Sequence, residues 1–482
     1  MNKYRLSSYT IFVELDEKER CMLVHGYTGT IDIVSREVAS FIRYRGPFVA
    51  EEFPFSDETL GTLTRRGYLT FRTAPEERRI VQLMARSLHL KRKQKITGFM
   101  FLVTYKCNFR CPYCFETDVA GNEAKRNGKA LTKTMVDRTF EAMREIEPDR
   151  EKHFKEITLY GGEPLLKENR EIVRYIVEKG REKGYVFDAI TNGYDLDHFE
   201  ELLGPDAIRR VQITVDGDSR WHNRRRLHYL KNETFDKIVK NIGIALKHDV
   251  KVDVRVNADS LNIDSVSSLK ELFGQLGYDK HPKFYFYLAL ITDLKHPESA
   301  RKCEDRHCAS ESQPAAAGAN KPVSLLSRRE FNEKVRKMDT GIGYQYEDIA
   351  ESIFNAISKR EQLPFAAVGC GVQSGYYIFD PEGRIYTCWD TVGGESHVFG
   401  HYLNRPIEWN TSEVDKWQKR NVGTVARCSC CKYAFFCGGG CLSKTFLAQN
   451  GGDKPFCNDF PDIFRYSAQT AYRKYQARQT PK

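Results

Sequence analysis

From about residue 97 onward, six strand-like apolar runs recur: GFMFLVTY, HFKEITLYGG, VFDAITNG, RVQITVDG, KVDVRVNA and KFYFYLAL. Between them lie stretches with helical periodicity, among them ALTKTMVDRTFEAMREI, ENREIVRYIVEKGREKG, ETFDKIVKNIGIALKHD and SLKELFGQLG. Strands that alternate with helices in this way cannot form hairpins with one another. They predict an α/β fold with a parallel sheet, as an open or partial (β/α)6 barrel. In such barrels chemistry belongs at the C-terminal ends of the strands. The segment TYKCNFRCPYCFE follows the first strand directly, which places Cys107, Cys111 and Cys114 at that end.

The chain has 482 residues, 41% hydrophobic and 29% charged, and suits two or three globular domains. No apolar run is long enough to span a bilayer, and the first residues, MNKYRLSSYTIFVELDEKE, lack the layout of a signal peptide. A cytoplasmic protein with no membrane partner is therefore expected. Thiols stay reduced there, so fourteen cysteines read as metal or redox sites rather than disulfides. The net charge of +10 comes from 75 basic against 65 acidic residues spread along the chain. That spread suits a solvated surface, or an acidic partner, better than nucleic acid.

Composition divides the chain into five stretches. Residues 1–80 read as a small winged-helix-like α/β module, with strands in YTIFVEL, CMLVHGY and TGTIDIV and a helix in SREVASFIRY. Residues 81–97 read as a basic linker helix, 98–295 as the barrel, and 296–364 as loop and linker. Residues 365–482 form a cysteine-rich C-terminal domain. The polar run HPESARKCEDRHCASESQPAAAGANKPVS, with Cys303 and Cys308, reads as a mobile loop.

Cys107-x3-Cys111-x2-Cys114 suits a cuboidal iron–sulfur cluster. A loop this tight wraps three corners of a cube and leaves the fourth iron free for a chelating molecule. The spacing alone also admits a zinc site completed from elsewhere, or buried thiols. The triplet does not stand alone, however. Gly161-Gly162-Glu163-Pro164 follows the second strand, Thr191-Asn192-Gly193 the third, and Thr214-Val215-Asp216-Gly217 the fourth, with His222 and Arg226 beyond. Together with Tyr113, these resemble the signature of radical S-adenosylmethionine (SAM) enzymes over residues 98–290. The resemblance implies that the open iron chelates SAM and that GGEP meets its amino group. It also implies that Arg226, or more weakly Arg255 or Asn257, meets the SAM carboxylate. Asn223 stands where the family pattern has Asp.

Cys370, Cys388, Cys428, Cys431, Cys437, Cys441 and Cys457 are similar in order and spacing to the SPASM domain of peptide and protein maturases. CxxC spacing also suits a zinc ribbon. By the resemblance Cys370, Cys388 and Cys441 hold one auxiliary 4Fe–4S cluster, and Cys428, Cys431, Cys437 and Cys457 a second. The expected cofactors are thus SAM and three 4Fe–4S clusters. The pattern of residues 1–80 resembles the element that grips leader peptides of ribosomally made natural products by strand addition.

The expected function is that of a radical SAM peptide maturase that acts on a precursor peptide with a leader. A flavodoxin- or ferredoxin-type donor would feed it, and the expected product is a thioether from a substrate Cys to a carbon. Alternatives on the same scaffold are carbon–carbon crosslinking, epimerisation, backbone excision, and sulfatase formylglycine formation, for which Asp390 would be the catalytic carboxylate. A non-enzyme alternative is an iron–sulfur sensor that binds nucleic acid.

Overall fold

Strands buried on both faces organise the larger of two compact units, residues 93–345 and 374–418; the other comprises residues 1–92, 346–373 and 419–482. The computed structural model describes every residue except 1–2, 94–95, 117–122, 124–126, 232, 292–323, 339–342, 345–346, 449–454, 458 and 480–482. Cys303, Cys308 and their predicted loop lie outside the described residues.

In the larger unit, strands β1 (Thr97–Thr104), β2 (His153–Gly161), β3 (Val186–Thr191), β4 (Ile208–Thr214), β5 (Lys251–Ala258) and β6 (Phe284–Leu290) are neighbours in that order. Each pairs in parallel with the next. These are the six predicted strands of the α/β fold. β1 is buried at every position, as expected of a parallel strand covered on both faces. Helices α1 (Lys133–Ile146), α2 (Arg170–Glu182), α3 (Phe235–Lys247) and α4 (Val266–Gln275) return the chain between strands. α1 starts where the Thr132 hydroxyl accepts from Met135 N, and it buries Val136, Phe140 and Met143. The strand Tyr376–Phe379 joins β1 in parallel, and three short antiparallel strands extend the sheet to Glu408–Trp409.

The smaller unit carries an antiparallel sheet of Thr10–Glu14, Arg20–His25 and Ile31–Ser35. Helices Arg36–Tyr44 and Asp57–Arg65 follow, N-capped by Ser35 and Ser56. The basic segment predicted as a linker forms a helix over Ala74–Lys93. The region assigned from composition to loop and linker contains the helices Arg328–Met338 and Glu347–Lys359. The second of these has a structural reason to form. Ile353, Phe354 and Ala356 pack with Phe460, Phe464, Ala468 and Tyr472 of the helix Phe460–Gln479, and with Ile11, Val13 and Met22 of the small sheet. Among the described residues no helix is long and apolar enough to cross a membrane.

Ile213, fully buried on β4, tests the central position of the sheet. Ile213→Ala should cost about 2–5 kcal/mol, read as a lower urea midpoint at unchanged slope.

Candidate active site at the ends of the parallel strands

β1 ends at Thr104, and the chain turns into the cysteine loop against the end of β2. Gly162 N donates to Thr104 O and Glu163 N to Lys106 O, both at 2.9 Å. Gly161 has φ +139°, and a Cβ there would lie 2.2 Å from Thr104 O; one on Gly162 would lie 2.3 Å from Tyr105 O. These glycines therefore let the cysteine loop press directly on β2. The close approach these glycines permit is to the protein's own backbone.

The loop is held from its other side as well. Arg110 N donates to Leu227 O at 2.7 Å, and Tyr229 N to Asn108 O at 3.0 Å. The Asn192 side-chain amide reaches Asn108 Oδ1 at 2.7 Å. Within this clamp Cys107 is buried, whereas Cys111 and Cys114 are half-exposed. Asn108, a short amide beside the first cysteine, is a positioning residue that sequence reasoning missed.

Glu163 is buried, and its carboxylate accepts from Leu165 N (2.9 Å), Thr191 Oγ1 (2.6 Å) and Asn192 N (2.6 Å). Burial pushes its pKa up to about 7, against those three hydrogen bonds. The following Pro164 offers its carbonyl to Asn169 Nδ2 at 3.3 Å. The GGEP and TNG segments thus meet through one carboxylate.

A second cluster forms over β4 and β5. Tyr113 donates its hydroxyl to Asp216 Oδ2, and Asn257 N donates to Asp216 Oδ1 at 3.0 Å. Arg226 Nη1 lies 3.4 Å from the Tyr113 hydroxyl. Burial raises the Asp216 pKa, opposed first by Arg226. Burial works against the Arg226 charge, but Cys111, Tyr113 and Asp216 outweigh it. Thr214 is buried at the end of β4, in register with Arg255 on β5, and Arg255 Nε donates to Asn257 Oδ1 at 2.9 Å. Asn223, the departure from the family pattern, accepts from Thr234 N at 3.0 Å and Phe235 N at 3.1 Å. An amide oxygen there starts α3, so the position has a structural task that needs no charge.

Burial first, then Glu116, Cys114 and Asp390, lift the Tyr160 hydroxyl well above its ordinary range, so Asp390 acts electrostatically on a residue of the same unit. Close by, Tyr105 donates to Asp380 Oδ2 at 2.8 Å, another pair not foreseen.

These residues fit an iron–sulfur group with an anionic chelator. Three thiols sit on a loop clamped from two sides. Beside them, Arg226 Nε and His222 Nε2 are buried with no hydrogen-bond partner among the described residues. A buried guanidinium with a free donor near thiols suits a negatively charged neighbour.

In the smaller unit, Cys457 bears on the ionisation of Cys428 and Cys437, which lie together with Cys431 in one short segment. Burial, then Cys431, Cys437 and Cys457, raise the Cys428 thiol pKa far above its ordinary value. Cys437 is pushed up to about 12 by burial and then Cys457. Cys428 is buried and Cys431, Cys437 and Cys457 are half-buried; thiols of this kind suit a metal group that takes thiolates. Of the remaining three, Cys370 is exposed and Cys441 half-buried in the smaller unit, while Cys388 is buried in the larger.

Residues 101–273 match the radical SAM superfamily model. The chain is 22% identical over 397 residues to a cysteine-type anaerobic sulfatase-maturating enzyme of Clostridium novyi, covering 77% of this chain and 96% of that protein. It is 34% identical to the GTP 3′,8-cyclase of Microcystis aeruginosa, over 29% of this chain and 36% of the cyclase. A solved structure titled native anSMEcpe with bound AdoMet superposes with TM-score 0.55 at 16% identity, over 79% of this chain and 99% of that one. The same protein with AdoMet and a Cp18Cys peptide gives 0.52 at 15% identity, over 80% and 99%. The solved structures bear on the fold, and it is theirs. The matched segment is a radical SAM domain and the chain is an enzyme; that chemistry implies SAM and a 4Fe–4S cluster.

Glu163 carries a pH signature. Its folded pKa of about 7 lies above the ordinary 4.5, so the native state holds its proton longer than the unfolded chain. Its contribution makes stability fall as pH rises from about 4.5 to 7, with no further loss above. Urea titrations across that window should show this slope in the metal-free wild type and a flatter one in Glu163→Gln.

Proposed function

We propose that the chain is a radical SAM peptide maturase that joins the sulfur of a substrate cysteine to a carbon of another residue in a ribosomally made precursor. The observation that carries this reading is the thiol set of the smaller unit, Cys428, Cys431, Cys437 and Cys457, whose members bear on the ionisation of Cys428. In this reading it supplies a metal-binding group in addition to that of the Cys107–Cys114 loop. A relative that spans nearly all of its own length on this chain is named for maturing a cysteine-type sulfatase, which supports a cysteine in a peptide or protein as the target.

In this reading Cys107, Cys111 and Cys114 hold the SAM-binding cluster. Gly161, Gly162, Glu163 and Pro164, with Thr191 and Asn192, receive the SAM amino group. A Glu163 carboxylate that burial holds near neutrality gains its charge when an ammonium arrives beside it. Arg226, kept in place by Tyr113 and Asp216, takes the SAM carboxylate; Thr214 and Arg255 line the same strand ends. When bound, the cluster and SAM supply a one-electron cleavage that yields a hydrogen-abstracting 5′-deoxyadenosyl radical. The tetrad holds one auxiliary 4Fe–4S cluster, and Cys370, Cys388 and Cys441 ligate another. The small antiparallel sheet grips the leader of the precursor, and the enzyme works in the cytoplasm.

A second reading is oxidation of a protein cysteine to formylglycine, with Asp390, which bears electrostatically on Tyr160 of the same unit, as its carboxylate base.

Anaerobic reconstitution separates the possibilities. Wild-type protein should carry about twelve irons, falling by about four when Cys107, Cys111 and Cys114 become Ala. Dithionite and SAM should yield 5′-deoxyadenosine only from wild type. Zinc in place of the remaining irons would sink the auxiliary clusters. With Cys-containing peptides, loss of two hydrogens and an alkylation-resistant sulfur marks the thioether; loss of sulfur with a hydrazide-reactive product marks formylglycine. Asp390→Asn should slow peptide turnover by about 10²-fold or more while 5′-deoxyadenosine still forms.

A further inference from the structure

The 74–93 helix has two faces of opposite character. Its inner face buries Glu77, Val81, Ala85 and His89. Val81 and Ala85 share a core cluster with Cys428, and Met84, Leu88 and Cys431 pack against it. Arg78 Nε donates to Ser429 Oγ at 2.8 Å, so the helix is fastened to the turn that bears Cys428 and Cys431. The outer face carries Arg79, Leu83, Arg86 and Leu90, at steps of four, three and four that define one stripe of an α-helix. Arg72 extends the stripe ahead of the helix. Leu83 is 60% and Leu90 51% exposed. Arg72, Arg79 and Arg86 are exposed, and their side chains form no ion pair among the described residues. A shallow depression of about 270 Å³ lies between Arg72, Glu76, Arg79, Ile80 and Leu83. The Glu76 carboxylate is already taken by Thr73 N and Oγ1, at 2.7 and 2.8 Å.

We infer that this stripe docks an acidic one-electron carrier protein, and that the helix beneath it is the spacer to the group held by Cys428, Cys431, Cys437 and Cys457. The inference rests on the proposed auxiliary cluster. The stripe and the buried face lie on opposite sides of one helix, whose full diameter with side chains is about 10–12 Å. Unpaired arginines steer an acidic partner, and two leucines supply a small apolar centre. That suits a brief encounter rather than a permanent complex. Exposed leucines between the cations argue against nucleic acid, which rewards charge alone. In the transfer the carrier loses one electron and the cluster gains one; no bond or proton moves.

The test uses the reconstituted holoenzyme and fully reduced flavodoxin, with flavin reoxidation followed by stopped flow. Arg79→Glu/Arg86→Glu should lower the second-order rate at low salt at least tenfold. Rising ionic strength should slow the wild type and leave the variant unchanged. Reduction by dithionite, and peptide turnover driven by it, should be the same in both. Equal flavodoxin rates would overturn the inference. So would a variant whose dithionite-driven peptide turnover drops while flavodoxin rates hold, since the stripe would then be a peptide site. Binding of oxidised flavodoxin to protein without iron reads the docking separately. If that binding weakens in the variant but Cys428→Ala/Cys431→Ala loses no iron, the auxiliary cluster has failed and the electron path with it, while the docking surface stands.

Discussion

One buried carboxylate joins the ends of three strands. Glu163 lies two residues beyond β2, its backbone N–H is bound to the loop that leaves β1, and its side chain holds the last residue of β3 and the one after it. Because an unmet buried acceptor is costly, those donors are fixed wherever the carboxylate is fixed. The cysteine loop inherits its position from this arrangement. Asn192, placed by Glu163, reaches back to Asn108 inside the loop. The same residues therefore serve as structural keystone and as candidate contacts for a cationic ligand. A substitution that weakens the second task also weakens the first.

Much of this was legible in the sequence. Strand-like runs alternating with helical stretches announced the parallel sheet, β1 most plainly because it is buried at every position, and the cysteine triplet could be placed at a strand end from order alone. Side-chain traffic between strand ends was not legible. No local pattern pairs Tyr113 with Asp216 across about a hundred residues of chain, or gives Asn223 a capping duty. The helix Glu347–Lys359 escaped for another reason: its apolar face is short, and the helix that covers it is distant in sequence. The cysteines of the C-terminal region were the reverse case. Their spacing pointed to a metal-binding domain although the backbone around them has little regular structure to read.

Charge burial has opposite consequences at the two thiol sets. Around the Cys107–Cys114 loop a guanidinium lies near Cys111, so negative charge gathered there is answered by protein. The four thiols of the smaller unit oppose one another's ionisation. Loading that set with metal must expel protons, and its affinity therefore rises with pH.

The smaller unit is assembled from both ends of the chain and a middle piece, with the whole parallel sheet between them. On the ribosome, Ile11, Val13 and Met22 emerge several hundred residues before Phe460, Phe464 and Ala468, which cover them. At the usual pace of synthesis that interval lasts about half a minute or more. The apolar side of the small sheet must pass it without its final cover. Cys457 likewise emerges after Cys428, Cys431 and Cys437, so this thiol set is complete only once synthesis has passed it.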